Sequence, residues 1–283
     1  IDFANAFNNI SRFLIIRGAQ QLAPDLLPYT VAAYAEPSSL FLGNGTPQAK
    51  IIPSREGVQQ GDPLGPLLFS LGLALFLGSS PEIIRDRWFL DDGFAQECPE
   101  KLRAFLDWLL REGPPVGLVP NLDEGKTTLV SNFPDLVGPL FPEISSCSWD
   151  ELELLGASLG NSAHVARHFE AQVSDVIAHA SLLSHLRSEP QLGVWLLRIT
   201  GGFSKLVFSL RNHPPSSSLS SCLLAADNAV LDCVEALVGP LDESARIQIK
   251  FRVKSGGLGL RAASDHHEAC FKASNTFVVS RYA

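Results

Sequence analysis

The chain contains no methionine, and its 22 Lys and Arg residues are outnumbered by 30 Asp and Glu. It also has few cysteines and no long uninterrupted apolar run, and each shortage excludes something. Cys98, Cys147, Cys222, Cys233 and Cys270 are odd in number, widely spaced and without a C-x-x-C pair. That excludes a disulfide framework and a ribbon-type zinc site, and points to a reducing, intracellular compartment, nucleus or cytoplasm. A formal charge of −8 counts against a surface that grips nucleic acid by its backbone, because such affinity comes from Lys and Arg neutralising phosphates. The longest apolar run, Leu64 to Leu77, is interrupted by Pro66, Ser70 and Gly72. It falls short of the roughly 20 residues that a bilayer requires, so it is expected as a core helix and no membrane is expected as a partner. No charged segment precedes an apolar stretch as a signal peptide needs, and a sequence that begins at Ile1 reads as a piece of something longer.

What is present suffices for a packed core: 283 residues, 46% of them hydrophobic, enough for one large or two small domains. The most specific stretch is Gly57 to Leu71, GVQQGDPLGPLLFSL, where a Gly-rich polar turn runs straight into an apolar helix. Gly57 and Gly61 leave room for another backbone or a ligand. Asp62 is expected as N-cap with Pro63 in the first helical turn, and Leu64, Leu67, Leu68, Leu71 and Leu75 as the buried stripe.

Around that stretch, the opening IDFANAFNNI reads as strand end, turn and helix, and Pro24 to Tyr34 as a second short helix. Ser38 to Ile52 reads as two strands around Gly43-Asn44-Gly45. Arg87 to Leu90 and Phe94 to Gln96 flank Asp91-Asp92-Gly93, a hairpin with two carboxylates at its tip. A helix from Pro99 follows, with Leu102, Phe105, Leu106 and Leu109 on one face and Gly113-Pro114-Pro115 at its end. Gly117 to Val130 is expected as strand, turn and strand, residues 131–150 as an irregular excursion, and Leu152 to Leu159 as a strand pair. Beyond a boundary near Asn161 the pattern turns helical. One stripe runs from Val165 through Phe169, Val173, Val176, Ile177, Ala180 and Leu183 to Leu186, and a second from Leu192 through Leu196, Ile199, Phe203 and Leu206 to Leu210. The tail offers a helix at Ala225 to Val238, a turn at Ser255-Gly256-Gly257 and a last helix from about Ala263.

Three carboxylates, Asp2, Asp91 and Asp92, stand where strand ends or a hairpin tip are expected. Two Mg²⁺ ions about 3.5–4 Å apart need a few shared carboxylates on rigid elements, and a strand end beside a hairpin supplies them. Taken alone, an Asp-Asp-Gly turn is ordinarily just a solvated hairpin. The order D-x-x-x-A-F (Asp2, Ala6, Phe7), then Gln60-Gly61 before Pro63 and Pro66, then Phe89-Leu90-Asp91-Asp92 resembles motifs A, B and C of the reverse transcriptase palm. Gly117-Leu118 with Asn121 and Lys126-Thr127 resembles motif D, and Leu154-Leu155-Gly156 with Gly160 resembles the primer grip, motif E. With Ser255 to Arg261, SGGLGLR, the chain is most similar to reverse transcriptases of the non-LTR retrotransposon type, as a fragment starting at motif A.

The resemblance implies an α+β fold: a palm with an antiparallel sheet packed on helices and partial fingers over residues 1–160, then a mostly helical thumb-like region over 161–283. It implies that Asp2 and Asp91 bind two Mg²⁺ with Asp92 in support, and that Phe7 is a steric gate selecting dNTP over NTP. Gln60 and Gly61 would line the nucleotide site. Lys126 would donate a proton to the departing pyrophosphate, or else is a solvated strand-end lysine. Leu155 and Gly156 would grip the primer. Arg198 and Lys205, read as one polar helix face, would follow the primer or template backbone or simply face solvent. The implied partners are an RNA template, a DNA primer and dNTP. Phe89 departs from the family's tyrosine, and the basic finger strands that precede motif A in the family are not in this sequence, so the 283 residues alone are expected to extend a primer little or not at all. A decayed or domesticated copy that only binds or assembles is the alternative, favoured by the low positive charge. An RNA-templated RNA polymerase shares the palm, and Phe7 opposes it. His266 with Cys270, and His164 with His168, have zinc-compatible spacing but no completing pair.

Overall fold

A computed structural model describes residues 1–43, 45, 46 and 48–282. The turn expected at Gly43-Asn44-Gly45 lies partly outside them, at Asn44. The chain is α+β and divides into two compact units, Ile1–Ser148 and Trp149–Ala283.

In the first unit the order is α1 (Ala6–Asn9), α2 (Arg12–Leu22), α3 (Leu27–Tyr34), β1 (Ser38–Leu42), β2 (Lys50–Ser54), α4 (Gly65–Leu77), β3 (Arg85–Phe89) and β4 (Asp92–Gln96). Then come α5 (Pro99–Glu112), β5 (Thr128–Val130), α6 (Pro134–Val137) and β6 (Ser145–Cys147). Helix α4 is the core element. It buries Gly65, Leu68, Phe69, Gly72, Leu73 and Phe76, one position round from the expected stripe, and leaves Leu67 exposed. The shift follows from α2. A β-carbon on Gly18 would stand 2.5 Å from the Leu71 carbonyl oxygen, so the two backbones meet at a face of small residues and not at a row of leucines. The helix also starts two residues later than Pro63, at Gly65, with Pro66 in its first turn. Asp62 is not its N-cap, a position that Leu64 takes. Instead the Asp62 carboxylate accepts from the Leu64 N–H at 2.9 Å and closes the turn before the helix.

The antiparallel sheet expected here is not formed as one sheet: the described strands pair two by two. Residues 1–4 run as an extended segment between two neighbours. On one side Ile1 and Gly93 exchange backbone hydrogen bonds, joining the antiparallel β3–β4 hairpin. On the other, Phe3 bridges Pro120, the Ala4 N–H donates to the Val119 carbonyl and the Asn121 N–H to that of Asp2. The strand expected near Gly117 is therefore reduced to this one bridge. Residues 131–150 are less irregular than their composition suggests. Strand β6 returns parallel to β5, and Phe141 packs with Leu106 and Leu129 under the Arg103 guanidinium. The β1–β2 ribbon keeps Leu40, Phe41, Leu42, Ile51 and Ile52 exposed.

The second unit begins with the hairpin β7 (Glu153–Leu154) and β8 (Ala157–Ser158), then α7 (Ser162–Leu183), α8 (Pro190–Thr200), α9 (Phe203–Asn212), α10 (Ser217–Val238), α11 (Glu243–Gln248) and α12 (Ala263–Tyr282). The division falls at Ser148 and Trp149, ahead of the boundary expected near Asn161, because the hairpin is bound to the helices. His213 at the end of α9 lies 2.7 Å from the Ser158 carbonyl, and the Asn161 N–H donates to that of Asp150. Phe169, Val173, Val176, Leu206, Leu210 and Leu223 make the core. The second expected stripe is not one helix: the chain breaks at Gly201-Gly202, so Leu197 is buried while Leu192 and Ile199 are exposed. Asp227 on α10 fixes the start of α12, its carboxylate accepting from the Ala263 and Ser264 N–H groups at 2.7 and 3.0 Å. Among the described residues no helix is long and apolar enough to cross a membrane.

Candidate active site

Asp2 is held from one side by the loop that follows residue 117. The Asn121 side-chain amide donates to its carboxylate at 3.0 Å, and the Asp2 N–H donates to the buried Thr127 hydroxyl at 3.2 Å. Asn121 and Thr127 thus fix both the backbone and the side chain of the first carboxylate. Neither role is visible in the sequence, because each acts across more than a hundred residues.

The other two carboxylates sit on the β3–β4 hairpin in a tighter arrangement than expected. Phe89 pairs with Asp92, so the two-residue turn is Leu90-Asp91 and Asp92 is the first residue of β4. Leu90 takes a left-handed φ of 57°, a strained conformation for a γ-branched residue, and its partial burial in the core holds it there. Gly93 is outside the turn. It is glycine because the Trp88 ring, stacked on Phe3 with centroids 5.5 Å apart, lies directly across it. Phe89 is 64% exposed and packs no core.

Partial burial, then the charges of Asp91 and Asp2, push the Asp92 carboxyl above its ordinary value, while the Ile1 ammonium and then Lys126 pull it back. Asp2 and Lys126, both remote in sequence from the adjacent Asp91 and Asp92, therefore share one electrostatic neighbourhood with them. The Lys126 side chain is exposed and makes no hydrogen bond or ion pair among the described residues. By donor chemistry the acids suit Mg²⁺, which prefers carboxylate oxygens, and a cation would relieve the repulsion on Asp92. Among the described residues no three Asp, Glu, His or Cys side chains are grouped to hold one ion, so no coordination geometry is assigned.

The loop Gly57 to Gly61 is sewn to α1. The Gly57 N–H donates to the Ile10 carbonyl at 2.9 Å and the Val58 N–H to that of Phe7 at 2.8 Å. A β-carbon on Gly57 would stand 2.4 Å from the Asn8 carbonyl oxygen, whereas one on Gly61 would meet nothing within 4 Å. Gly57 thus serves close packing, and Gly61 only its φ of 89° beside open space. The Phe7 ring stacks on Phe69 of α4 at 4.3 Å and 9°, and the Gln60 side chain donates to Asn8 at 3.3 Å.

Behind the loop stands a scaffold that sequence reasoning missed. Buried Arg12 donates to the Gly57 carbonyl at 3.1 Å and the Ser54 carbonyl at 2.8 Å, with its guanidinium over the Tyr34 ring. Tyr34 donates to Asp62 at 2.5 Å and accepts from the Gln59 N–H at 3.2 Å. Burial first, then the bond to Asp62, pushes the Tyr34 phenol up to about 12. The Asp62 carboxyl is raised by burial, but the hydrogen bonds from Tyr34, Leu64 and Tyr29 outweigh this and hold it below its ordinary value. A readable signal existed for Arg12 alone: a basic residue in line with Ile15 and Ala19 on the buried face of α2.

No protein-family profile matches the chain, and no curated protein matches it.

The remaining expected residues belong to the second unit. Leu155 and Gly156, with φ of 52° and 75°, form the two-residue turn of β7–β8, and Leu155 is exposed. Arg198 and Lys205 do not share a helix face, because the Gly201-Gly202 break puts Arg198 on α8 and Lys205 on α9. His164 and His168 both face Glu153, at 3.6 and 3.3 Å, and the His266 ring lies against the Ala262 carbonyl.

Proposed function

We propose that the chain is the palm and thumb-like part of a reverse transcriptase of the non-LTR retrotransposon type, an RNA-directed DNA polymerase acting inside the cell, in nucleus or cytoplasm. One observation carries the reading: the segment bearing Asp2 is joined by reciprocal Ile1–Gly93 backbone bonds to the hairpin bearing Asp91 and Asp92, and by the bond from the Asp2 N–H to Thr127 to the loop bearing Lys126, the residues singled out by motif order. Free thiols at Cys98, Cys222, Cys233 and Cys270 support the reducing compartment.

In this reading Asp2 and Asp91 would hold two Mg²⁺, with Asp92 beside them. When bound, the ions supply activation of the primer 3′-OH and stabilise charge on the leaving pyrophosphate. The chain's own residues do the rest. Asn121 and Thr127 keep Asp2 in place, and Asp91 stands in the turn of the hairpin whose Gly93 pairs with Ile1, next to Asp2 in the chain. Phe7, backed by Phe69, presents a rigid ring to the sugar and would exclude a 2′-OH. Gln60 and Gly61 would line the base-paired dNTP, with open space beside Gly61 for a close approach. Lys126 carries an ammonium with no competing carboxylate in contact, suited to protonating the leaving group. Leu155 and Gly156 would meet the DNA primer, and Arg198 and Lys205 the backbone of primer or RNA template.

The test is primer extension on an RNA template with dNTPs and Mg²⁺, using the chain fused behind the fingers segment of a reverse transcriptase. The fusion is expected to extend the primer, and its Asp91→Asn, Asp92→Asn version is not. Equal incorporation by both would sink the reading. A second reading, a non-catalytic form that only binds or assembles, is favoured by the net charge of −8. It predicts nucleic-acid binding without extension in the same assay.

A further inference from the structure

The second unit contains a cavity of about 570 Å³, of whose lining the polymerase reading uses Arg198 alone. Its charged lining is of one sign: Arg198 on α8, Lys250 after α11, and Arg252 and Arg261 in the loop before α12, with no carboxylate among the lining residues. Lys250 is partly neutralised by Asp265 at 2.9 Å. Arg198, Arg252 and Arg261 have no ion pair among the described residues, and Arg261 lies over the Phe203 ring at 5.5 Å. Three uncompensated guanidinium groups on one cavity are unexpected in a chain whose net charge is −8, where an acidic partner is the easier solution. They repel one another unless an anion joins them. The remaining lining is mainly apolar: buried Leu197, Val230 and Leu260 with Phe203, Val207 and Val253, beside Ser204 and three glycines.

Cations at the rim and hydrocarbon below select an amphiphilic anion. Guanidinium groups match phosphate oxygens in pairs, and an apolar floor takes a flat or greasy body. We propose that this cavity binds a phosphomonoester carrying an aromatic group, of the mononucleotide class, with the phosphate among Arg198, Arg252 and Arg261 and the base against the apolar floor. A free nucleotide and the phosphorylated end of a nucleic-acid strand share this chemistry. The site lies wholly within residues 149–283 and does not depend on the carboxylate cluster of the first unit.

The experiment is isothermal titration of the whole chain with 5′-AMP, adenosine and inorganic phosphate, and with a short oligonucleotide carrying either a 5′-phosphate or a 5′-hydroxyl. 5′-AMP is expected to bind more tightly than adenosine or phosphate. A preference for the 5′-phosphorylated oligonucleotide over 5′-AMP assigns the site to strand ends, and the reverse assigns it to free nucleotides. Arg252→Gln with Arg261→Gln should weaken 5′-AMP on the order of tenfold or more. Arg187→Gln, an exposed arginine outside the cavity, should leave it unchanged. Because Arg252 and Arg261 are exposed, the double variant is expected to keep its melting temperature, and Val207→Phe fills the cavity while leaving every charge in place. Loss of 5′-AMP binding in both supports the site. No binding of 5′-AMP at millimolar concentration, equal binding of 5′-AMP and adenosine, or equal weakening by Arg187→Gln would overturn it.

Discussion

The ring of Trp88 lies so close over Gly93 on the facing strand that a β-carbon at position 93 would stand 2.3 Å from it. The ring cannot step aside, since Phe3 stacks on its face and its indole N–H donates to Asp86 at 2.7 Å. Gly93→Ala should therefore destabilise the first unit by about 1–3 kcal/mol through overpacking, read as a lower urea midpoint. An unchanged midpoint would mean that the ring is free to move and that the hairpin bearing Asp91 and Asp92 is held by something else.

Gly57 and Gly61 separate two effects that usually come together. Both have positive φ, but only Gly57 faces backbone carbonyls at 2.4 and 2.5 Å. Gly61→Ala should cost about 1 kcal/mol, the left-handed penalty less the entropy lost by the unfolded chain. Gly57→Ala adds a clash with backbone and should cost roughly 2–4 kcal/mol. Chemical denaturation of the pair checks the order, and equal costs would refute the close packing of the loop on α1.

Tyr34 links alkaline stability to the loop. Its phenol is raised from 10.0 to about 12 on folding, so the folded state holds this proton more tightly than the unfolded chain does. The stability this contributes is complete below pH 10 and is lost as pH rises through about 12. Tyr34→Phe should lower stability by about 1.5–3 kcal/mol at neutral pH, because it removes a charge-assisted bond to Asp62 and orphans the Gln59 N–H. It should also flatten the alkaline limb. Melting curves of both proteins between neutral pH and the onset of alkaline unfolding test this.

Asp92 works in the opposite sense to a paired carboxylate. Burial and the charges of Asp91 and Asp2 raise it, so its ionisation opposes folding. Stability falls as pH rises from the ordinary carboxylate value through the raised one. Asp92→Asn should raise the melting temperature at neutral pH, with the gain shrinking as pH is lowered into the acidic range. A lower melting temperature for the variant at neutral pH would contradict the clustering of the three acids.

An extended segment at Asp2 and a hairpin at Asp91 and Asp92 were legible in the sequence because each follows local rules, although the turn falls one residue early, at Leu90-Asp91. What fixes them was not. Asn121 reaches Asp2 across 119 positions and Arg12 reaches Gly57 across 45, contacts that no periodicity encodes. The helices were legible where one face is apolar, as in α5, whose buried Phe105, Leu106 and Leu109 stand as expected. The stripe of α4 was misplaced because the helix is apolar nearly all round, and only the approach of Gly18 selects the buried face. In the second unit the leucine pattern runs through Gly201-Gly202 without a break, while the backbone turns there, with Gly202 at a φ of 51°. The split of Arg198 from Lys205 follows from that turn, and so does one wall of the basic cavity.

In the function proposed above, Asp2, Asp91 and Asp92 form a divalent-cation site for an incoming dNTP. The most direct measurement is the electron paramagnetic resonance signal of free Mn²⁺, titrated into the chain with an RNA template, a DNA primer and either the complementary or a non-complementary dNTP. The complementary dNTP is expected to increase Mn²⁺ binding, and Asp2→Asn or Asp91→Asn to abolish the increase. Mn²⁺ binding that is indifferent to the dNTP, or unchanged in both variants, would contradict it.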